Sequence, residues 1–204
     1  MENILFPHHS QFAWVQQYLA SGALGTLKLL RSAFTIPPLA AENFRYQAQL
    51  GGGALLDQGP YMVRFARAFL GEPLRLIGAV VRKDEQRGVD VSGMVQFANA
   101  SGLTTQLAYG FDTYYQCSWE FLGSQGRLIV ERGYTAPPGF APTVRLERQN
   151  HREELTLAAD NHYRNLCGHF ARTILGGGSF DPCLDELAAQ AKYLAQIATE
   201  AIRL

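Results

Sequence analysis

Net charge is the first thing this sequence lacks: eighteen Lys and Arg residues cancel eighteen Asp and Glu, and charged residues make up only 18% of 204. No basic cluster or stripe occurs, so the electrostatic footprint of a nucleic-acid binder is missing and no polyanion partner is expected. Long apolar runs are lacking as well. None approaches the roughly eighteen residues of a membrane-crossing helix, and no basic stretch leads into an apolar one at the N-terminus. Neither membrane insertion nor secretion is signalled, which makes a cytoplasmic location the expectation. Cysteine is scarce: Cys117, Cys167 and Cys183 are odd in number and widely spaced, which suits reduced thiols better than a disulfide framework. Cys183 follows Pro182 at a helix start, where a thiol pKa can fall, but an inert thiol explains it as well.

Familiar chemical signatures are missing too. Phe6-Pro7-His8-His9 offers two adjacent histidines with no third ligand at a metal-binding spacing. The glycine-rich Gly51-Gly52-Gly53-Ala54-Leu55-Leu56 fails G-x-G-x-x-G at its last position and follows a polar loop where a buried strand is required. There is no P-loop, nucleophile elbow or H-E-x-x-H. The chain therefore shows no cofactor domain of its own.

What is present is one sizeable core. At 204 residues and 47% hydrophobic content, a single domain spanning residues 1–204 is expected. Ser10 is the expected N-cap of a helix through Phe12, Trp14, Val15, Tyr18 and Leu19, ending at Gly22. A strand follows over Thr26–Ile36, closed by Pro37-Pro38, and then a polar loop carrying Phe44 and Tyr46. Beyond Gly71 come short segments separated by turn signals. The strands predicted are Leu74–Arg82, Val89–Asn99, Leu103–Phe111, Tyr114–Leu122, Arg127–Arg132, Thr143–Arg148 and Glu153–Ala158. Past Asp160 the period is helical again, with Tyr163, Leu166, Phe170, Ile174 and Leu175 on one face. Gly176–Gly178 stops that helix, and a last one runs through Leu184, Leu187, Tyr193, Leu194, Ile197 and Ile202. Helices, sheet and helices in that order give an α+β fold with an open, mostly antiparallel sheet. Several strands read as apolar on both faces. With helices covering one, the other is expected to pack against a second copy of the chain.

The chemistry concentrates in residues 51–64, which hold four glycines, Asp57, Tyr61 and Arg64. Pro60 has no N–H to donate, so it reads as the start of a helix that runs through Phe65, Phe69 and Leu70 to Gly71. Tyr61 then sits in the first turn. The positive end of the helix dipole and Arg64 one turn on would favour its anion, which makes Tyr61 a candidate proton donor. Against this, Tyr61 also fits as a core aromatic, Asp57 as a turn or cap residue, and Arg64 as half of a surface pair.

The series Gly-Gly-Gly-x-x-x-Asp57-x-Gly59-x-Tyr61, the hairpin Gly123-x-x-Gly126-x-Leu128, the early Ser21-Gly22-Ala23-Leu24-Gly25 and the late Asp160-Asn161-His162-Tyr163 together resemble the C-terminal domain of the Gfo/Idh/MocA oxidoreductases. The resemblance covers almost the whole chain. It implies an open antiparallel sheet with helices on one face, dimerisation through the bare face, and NAD or NADP held mainly by a preceding Rossmann domain with a Glu-Lys-Pro motif. On this reading the chain starts about where that domain would end. Tyrosine at position 61, where the family commonly has histidine, resembles the branch that reduces 3-keto sugar nucleotides, as do Ala33–Pro38 and Gly88–Gly93. Carried over residue by residue, the resemblance makes Tyr61 the acid with Asp57 beside it and Arg64, Gln58 and His162 substrate contacts. Gly53 becomes a close approach to the cofactor. A lysine from the other domain would complete the site. The chain alone would then be inactive; a non-catalytic binding or assembly module derived from the same family is the alternative.

Overall fold

A computed structural model describes residues 2–204. In chain order the elements are α1 (Ser10–Ala20), β1 (Leu27–Thr35), α2 (Ala54–Asp57), α3 (Gly59–Leu70), β2 (Arg75–Asp84), β3 (Val89–Ala98), β4 (Thr104–Gly110) and β5 (Gln116–Gly123), followed by β6 (Arg127–Val130), β7 (Thr143–Arg148), β8 (His151–Thr156), α4 (His162–Leu175), α5 (Asp181–Glu200) and β9 (Ile202–Arg203). The strands form one nine-stranded sheet in the order β8-β7-β6-β5-β1-β4-β3-β2-β9. Only β1/β4 and β2/β9 pair in parallel; the remaining pairs are antiparallel. The α+β class and open sheet expected from the sequence are thus present.

The core lies between the sheet and the helices. Trp119, Phe121, Tyr109 and Leu107 point inward from β4 and β5 and are almost fully buried. Trp119 meets Phe65 of α3, Phe6 and Tyr134 in an aromatic cluster that Phe121 joins through Phe65, with Phe6 edge-on to Trp119 at 5.3 Å and to Tyr134 at 5.3 Å. Such edge-to-face pairs add to plain area burial.

Three sequence expectations need correction. The N-cap of α1 is His9, not Ser10: the His9 ring nitrogen Nδ1 accepts the Gln11 N–H at 3.1 Å. Ser10 is the first helical residue, and its N–H goes to Asp160 Oδ2 at 2.8 Å. The last helix ends at Glu200, and Ile202 sits in β9 opposite Val80 of β2. The apolar periodicity continues across that boundary because a strand laid on a sheet edge also needs an apolar side chain.

The third correction concerns the bare face. Leu103, Thr105, Leu107, Tyr109 and Phe111 share one parity, and all turn inward, Thr105 being 1% exposed. The opposite parity is largely polar. Arg31, Glu120, Arg127, Glu147 and Arg145 form a ladder of alternating ion pairs across β1, β5, β6 and β7, at 2.7–3.4 Å. Apolar residues on that face form a middle strip with Ala33, Ala108, Val80, Met94 and Ile202, and Leu29, Leu122 and Ile129 stand among the ion pairs. Finally, α4 forms as expected, but its apolar face stands clear of the core: Tyr163, Phe170, Ile174 and Leu175 are 49%, 45%, 54% and 86% exposed.

Candidate functional site

Gln58 interrupts two helices and so sets the position of Tyr61. With φ −110° and ψ −25° it ends α2 and caps α3. Gly59 and Pro60 then open α3, where a missing N–H costs nothing. A Cβ on Gly59 would meet Leu55 Cδ1 at 2.9 Å and Leu194 Cδ2 at 3.0 Å, so glycine lets this turn lie against α5. Tyr61 follows in the first turn, as read from the sequence. Its ring stands edge-on to Phe34 at 5.1 Å and to Tyr134 at 5.7 Å, at the end of the sheet where β1 finishes. Among the described residues nothing hydrogen-bonds its hydroxyl.

The electrostatics around Tyr61 run opposite to the expectation. Burial, with the nearby Asp57 carboxylate adding to it, pushes its pKa up to about 12. The helix end does not win because desolvation penalises the phenolate and the nearest fixed charge is negative. Arg64, expected to offset this, turns elsewhere. Its Nη1 lies 3.0 Å from Glu186, its Nη2 3.3 Å from Glu2, and its Nε donates to Gln190 Oε1 at 3.1 Å. Arg64 therefore ties the N-terminal segment to α3 and α5. Three-residue spacing places two Cα atoms on one side of a helix, but a long side chain reaches toward the carboxylates available.

Asp57 has a partner the sequence did not reveal. Arg45 Nε lies 2.8 Å from its Oδ2, with the guanidinium over the Phe44 ring at 4.6 Å. The segment read as a polar loop is two 3-10 turns, Phe44–Tyr46 and Ala48–Leu50. They bring Arg45 back over the start of α2; no local signal marks this. Gln58 is 1% exposed, and neither side-chain amide atom has a hydrogen-bond partner among the described residues. A buried amide left unpaired costs about 1–3 kcal/mol, which makes it an uncommon feature beside Tyr61.

Gly53 answers to its own chain. Its φ is +122°, and an added Cβ would lie 2.4 Å from Asp90 Oδ1. The other Asp90 oxygen accepts the Leu55 N–H at 2.6 Å, capping α2 across the fold. Gly52 is equally confined, its missing Cβ falling 2.6 Å from the Arg45 carbonyl oxygen. At Gly52 and Gly53 protein atoms fill the space a side chain would need, whereas Gly51 is open. His162 is also internal. It is 1% exposed, edge-on to His9 at 5.7 Å and to Tyr163 at 4.7 Å. Burial first, then His9, pushes its pKa down to about 4. The ring thus presents almost no surface to solvent among the described residues.

Two concavities stand out. The larger, about 690 Å³, lies on the bare sheet face and is lined by Ala33, Ala108, Met94 and Ile202. The second, about 530 Å³, opens where β5 begins and β6 ends, beside Tyr114, Tyr115, Arg132 and Phe140. Tyr61 lines neither.

Comparison with known proteins follows the same lines. Residues 12–129 match the family model described as the GFO/IDH/MocA C-terminal domain. Over 177 residues, 87% of this chain and 53% of the relative, the sequence is 41% identical to a dTDP-3,4-didehydro-2,6-dideoxy-alpha-D-glucose 3-reductase of Actinomadura kijaniata. It is 40% identical over 178 residues to an enzyme of the same description from Streptomyces violaceoruber, covering 87% of this chain and 52% of that one. A solved 3-ketoreductase from Actinomadura kijaniata, in complex with NADP and TDP-benzene, superposes with a TM-score of 0.95 at 38% identity, over 100% of this chain and 63% of that one. The chain spans about half the length of the curated relatives it matches.

Proposed function

The chain belongs to the GFO/IDH/MocA C-terminal domain family, and we propose that it is the substrate-binding half of an NAD(P)-dependent oxidoreductase that reduces the keto group of a sugar nucleotide. One observation carries the chemistry: a tyrosine hydroxyl with no internal partner, fixed by an aromatic pair in the first turn of α3, with Asp57 beside it. Reduced nicotinamide, when bound, would supply the hydride in such a reaction. As the carbonyl carbon is reduced, negative charge grows on its oxygen, and a positioned acid must meet that charge. Tyr61 holds its proton throughout the neutral range, because its pKa is pushed up to about 12. Asp57, anchored by Arg45, keeps the proton on Tyr61 until substrate oxygen arrives. A cation entering with the cofactor-binding part, a lysine by family resemblance, would lower that pKa toward the working range.

The same reading pairs two copies through the bare face, where the Arg31–Glu120–Arg127–Glu147 ladder carries both signs and so complements itself about a two-fold axis. A chain that elutes as a monomer at micromolar concentration would refute that part.

The activity is tested by joining the chain to the NADP-binding half of the Actinomadura relative and following NADPH oxidation with a dTDP-linked keto sugar. The chain alone should give no turnover. Tyr61→Phe in the joined enzyme should lower kcat by roughly 10²- to 10⁴-fold, the usual share of general acid catalysis. An unchanged rate removes Tyr61 from the role of acid.

A further inference from the structure

A tyrosine whose hydroxyl has no internal partner is oriented by its rotamer and by what touches its ring. For Tyr61 two aromatic neighbours do this, Phe34 at 5.1 Å and Tyr134 at 5.7 Å, both edge-on. These two rings are themselves stacked, with centroids 5.3 Å apart and planes 28° from parallel. The Phe34–Tyr134 pair is thus a seat on which the Tyr61 ring stands. Phe34 belongs to β1, so the sheet sets its place. Tyr134 lies outside every helix and strand, in the segment of residues 131–142 between β6 and β7, and is nevertheless fully buried.

Both ends of Tyr134 are fastened. Its hydroxyl lies 2.5 Å from Ser32 Oγ, and Ser32 donates its own proton to the Ser118 carbonyl at 3.0 Å, so the Tyr134 hydroxyl is the donor of that pair. Ser32 stands two residues before Phe34 on the same inward side of β1. The Tyr134 ring therefore lies along β1 with its hydroxyl held at one end. At the other end the main chain is tied to β5. The N–H groups of Tyr134 and Thr135 both reach Cys117 Sγ, at 3.4 and 3.3 Å, and the Gly133 N–H donates to the Cys117 carbonyl at 2.8 Å. Cys117 is also the cross-strand partner of Phe34. One position of β5 thus sets both rings of the seat, Phe34 through strand pairing and Tyr134 through the thiol. A hydroxyl buried this deeply costs free energy unless it is bonded. The bond to Ser32 offsets that cost and, being directional, fixes where along the strand the ring lies.

We propose that Tyr134 is a positioning residue for the acid: its ring, held by Ser32 at the hydroxyl and by Cys117 at the main chain, fixes the direction in which the Tyr61 hydroxyl points. The inference rests on the reading of Tyr61 as the acid of a keto-sugar reductase. Being fully buried, Tyr134 touches no substrate, so its effect falls on turnover and not on binding. A reacting group misplaced by about 1 Å loses up to roughly a hundredfold in rate, which is the scale on which a loosened seat acts.

The test follows kcat and KM of the joined enzyme and, in the 204-residue chain, the two-fold flip of the Tyr61 ring by NMR of labelled tyrosine, assigned with Tyr61→Phe. Tyr134→Leu removes one ring of the seat and should lower kcat by roughly ten- to a hundredfold with KM unchanged. The Tyr61 flip should quicken by roughly two- to tenfold, the worth of one aromatic pair. Tyr134→Phe restores the ring, so kcat should return to within several-fold of wild type and the flip should slow again. Ser32→Ala breaks the same bond from its other side, and the two changes together should cost no more than either alone. Thermal melts identify the variants that are folded at the assay temperature. A purely structural role would lower Tm while leaving kcat per folded molecule and the flip as they are, and that result in Tyr134→Leu overturns the proposal, as does a KM that rises as far as kcat falls. If Tyr134→Leu does not fold, Tyr134→Phe and Ser32→Ala decide: no loss of kcat, or losses that add, overturns it. If the unaltered joined enzyme gives no turnover, the proposed activity falls instead and the flip alone decides whether Tyr134 seats Tyr61.

Discussion

Replacing Gly53 by alanine separates two accounts of the glycine run. With φ +122° and ψ 145°, Gly53 occupies backbone space that residues with a side chain avoid. The strain of placing alanine there is about 1–3 kcal/mol. The new methyl carbon would also start 2.4 Å from Asp90 Oδ1 and 3.3 Å from its Cγ. Asp90 must swing aside, giving up the Leu55 N–H that it holds at 2.6 Å. Losing such a cap costs about 0.5–2 kcal/mol. The sum is about 1.5–5 kcal/mol, which for a chain of this size lowers Tm by roughly 3–20 °C. Thermal and urea denaturation would measure it, with the midpoint moving and the m value unchanged. Asp90→Ala should cost less in the Gly53→Ala background than in wild type, because the clash and the cap are lost only once. A Gly53→Ala chain of unchanged stability whose joined enzyme binds NADP more weakly would refute this account and restore the cofactor role.

Three further outcomes follow from the same geometry. Asp57→Asn should lower the Tyr61 pKa from about 12, because it removes a negative neighbour while leaving the larger effect of burial; an NMR titration of labelled tyrosine, assigned with Tyr61→Phe, would show no shift if Asp57 does not act on it. His162 is held neutral in the fold with a pKa near 4 against 6.5 when unfolded, so the unfolded chain takes up the proton first. Stability is therefore full above about pH 6.5 and falls as pH drops toward 4, by about 2–3 kcal/mol. His162→Leu should flatten that slope in urea melts run at pH 7, 5.5 and 4.5, and an unchanged slope would contradict it. Arg64→Met should cost about 1–3 kcal/mol by leaving Glu2 without its cation and Glu186 with Arg67 alone, while kcat of the folded joined enzyme stays within a few-fold. A loss of kcat comparable to that of Tyr61→Phe would return Arg64 to the site.

Local rules carried the fold well where a single residue decides the outcome. Pro60 and Gly71 bound α3 as their backbone chemistry requires, and Thr143–Arg148 is a strand over the span its alternation indicated. The same rules misled where two elements compete for one pattern. Ile202 continues the apolar period of α5 yet lies on a sheet edge, and Ser10 is a better helix cap by type than His9 yet sits one residue too late. The inward parity of β4 is visible in the sequence, but the apolar residues 103, 107, 109 and 111 draw the eye from Gln106 and Ala108 on the other side. Around the candidate acid the sequence indicated which residues lie near one another but not their electrostatics. Tyr61 and Asp57 are adjacent in space, but Arg64 was assigned to them by spacing alone and in fact serves Glu2, Glu186 and Gln190. The cation that does reach Asp57 is Arg45, twelve residues upstream through turns that no periodicity reports.

That exchange of arginines changes how the proposed acid would work. If Arg64 faced Tyr61, the phenol would already be an easy donor and could lose its proton to solvent before any substrate arrived. Instead the guanidinium beside the site is spent on Asp57, and Tyr61 is left with burial and a negative neighbour, both of which hold its proton on. Such a phenol becomes a competent acid only when positive charge enters next to it. On the proposed reading that charge arrives with the part of the enzyme that carries the hydride source, so proton donation is tied to its presence. Asp57→Asn would then loosen the coupling: Tyr61 should become a better acid in the chain alone and gain less when the other half is joined.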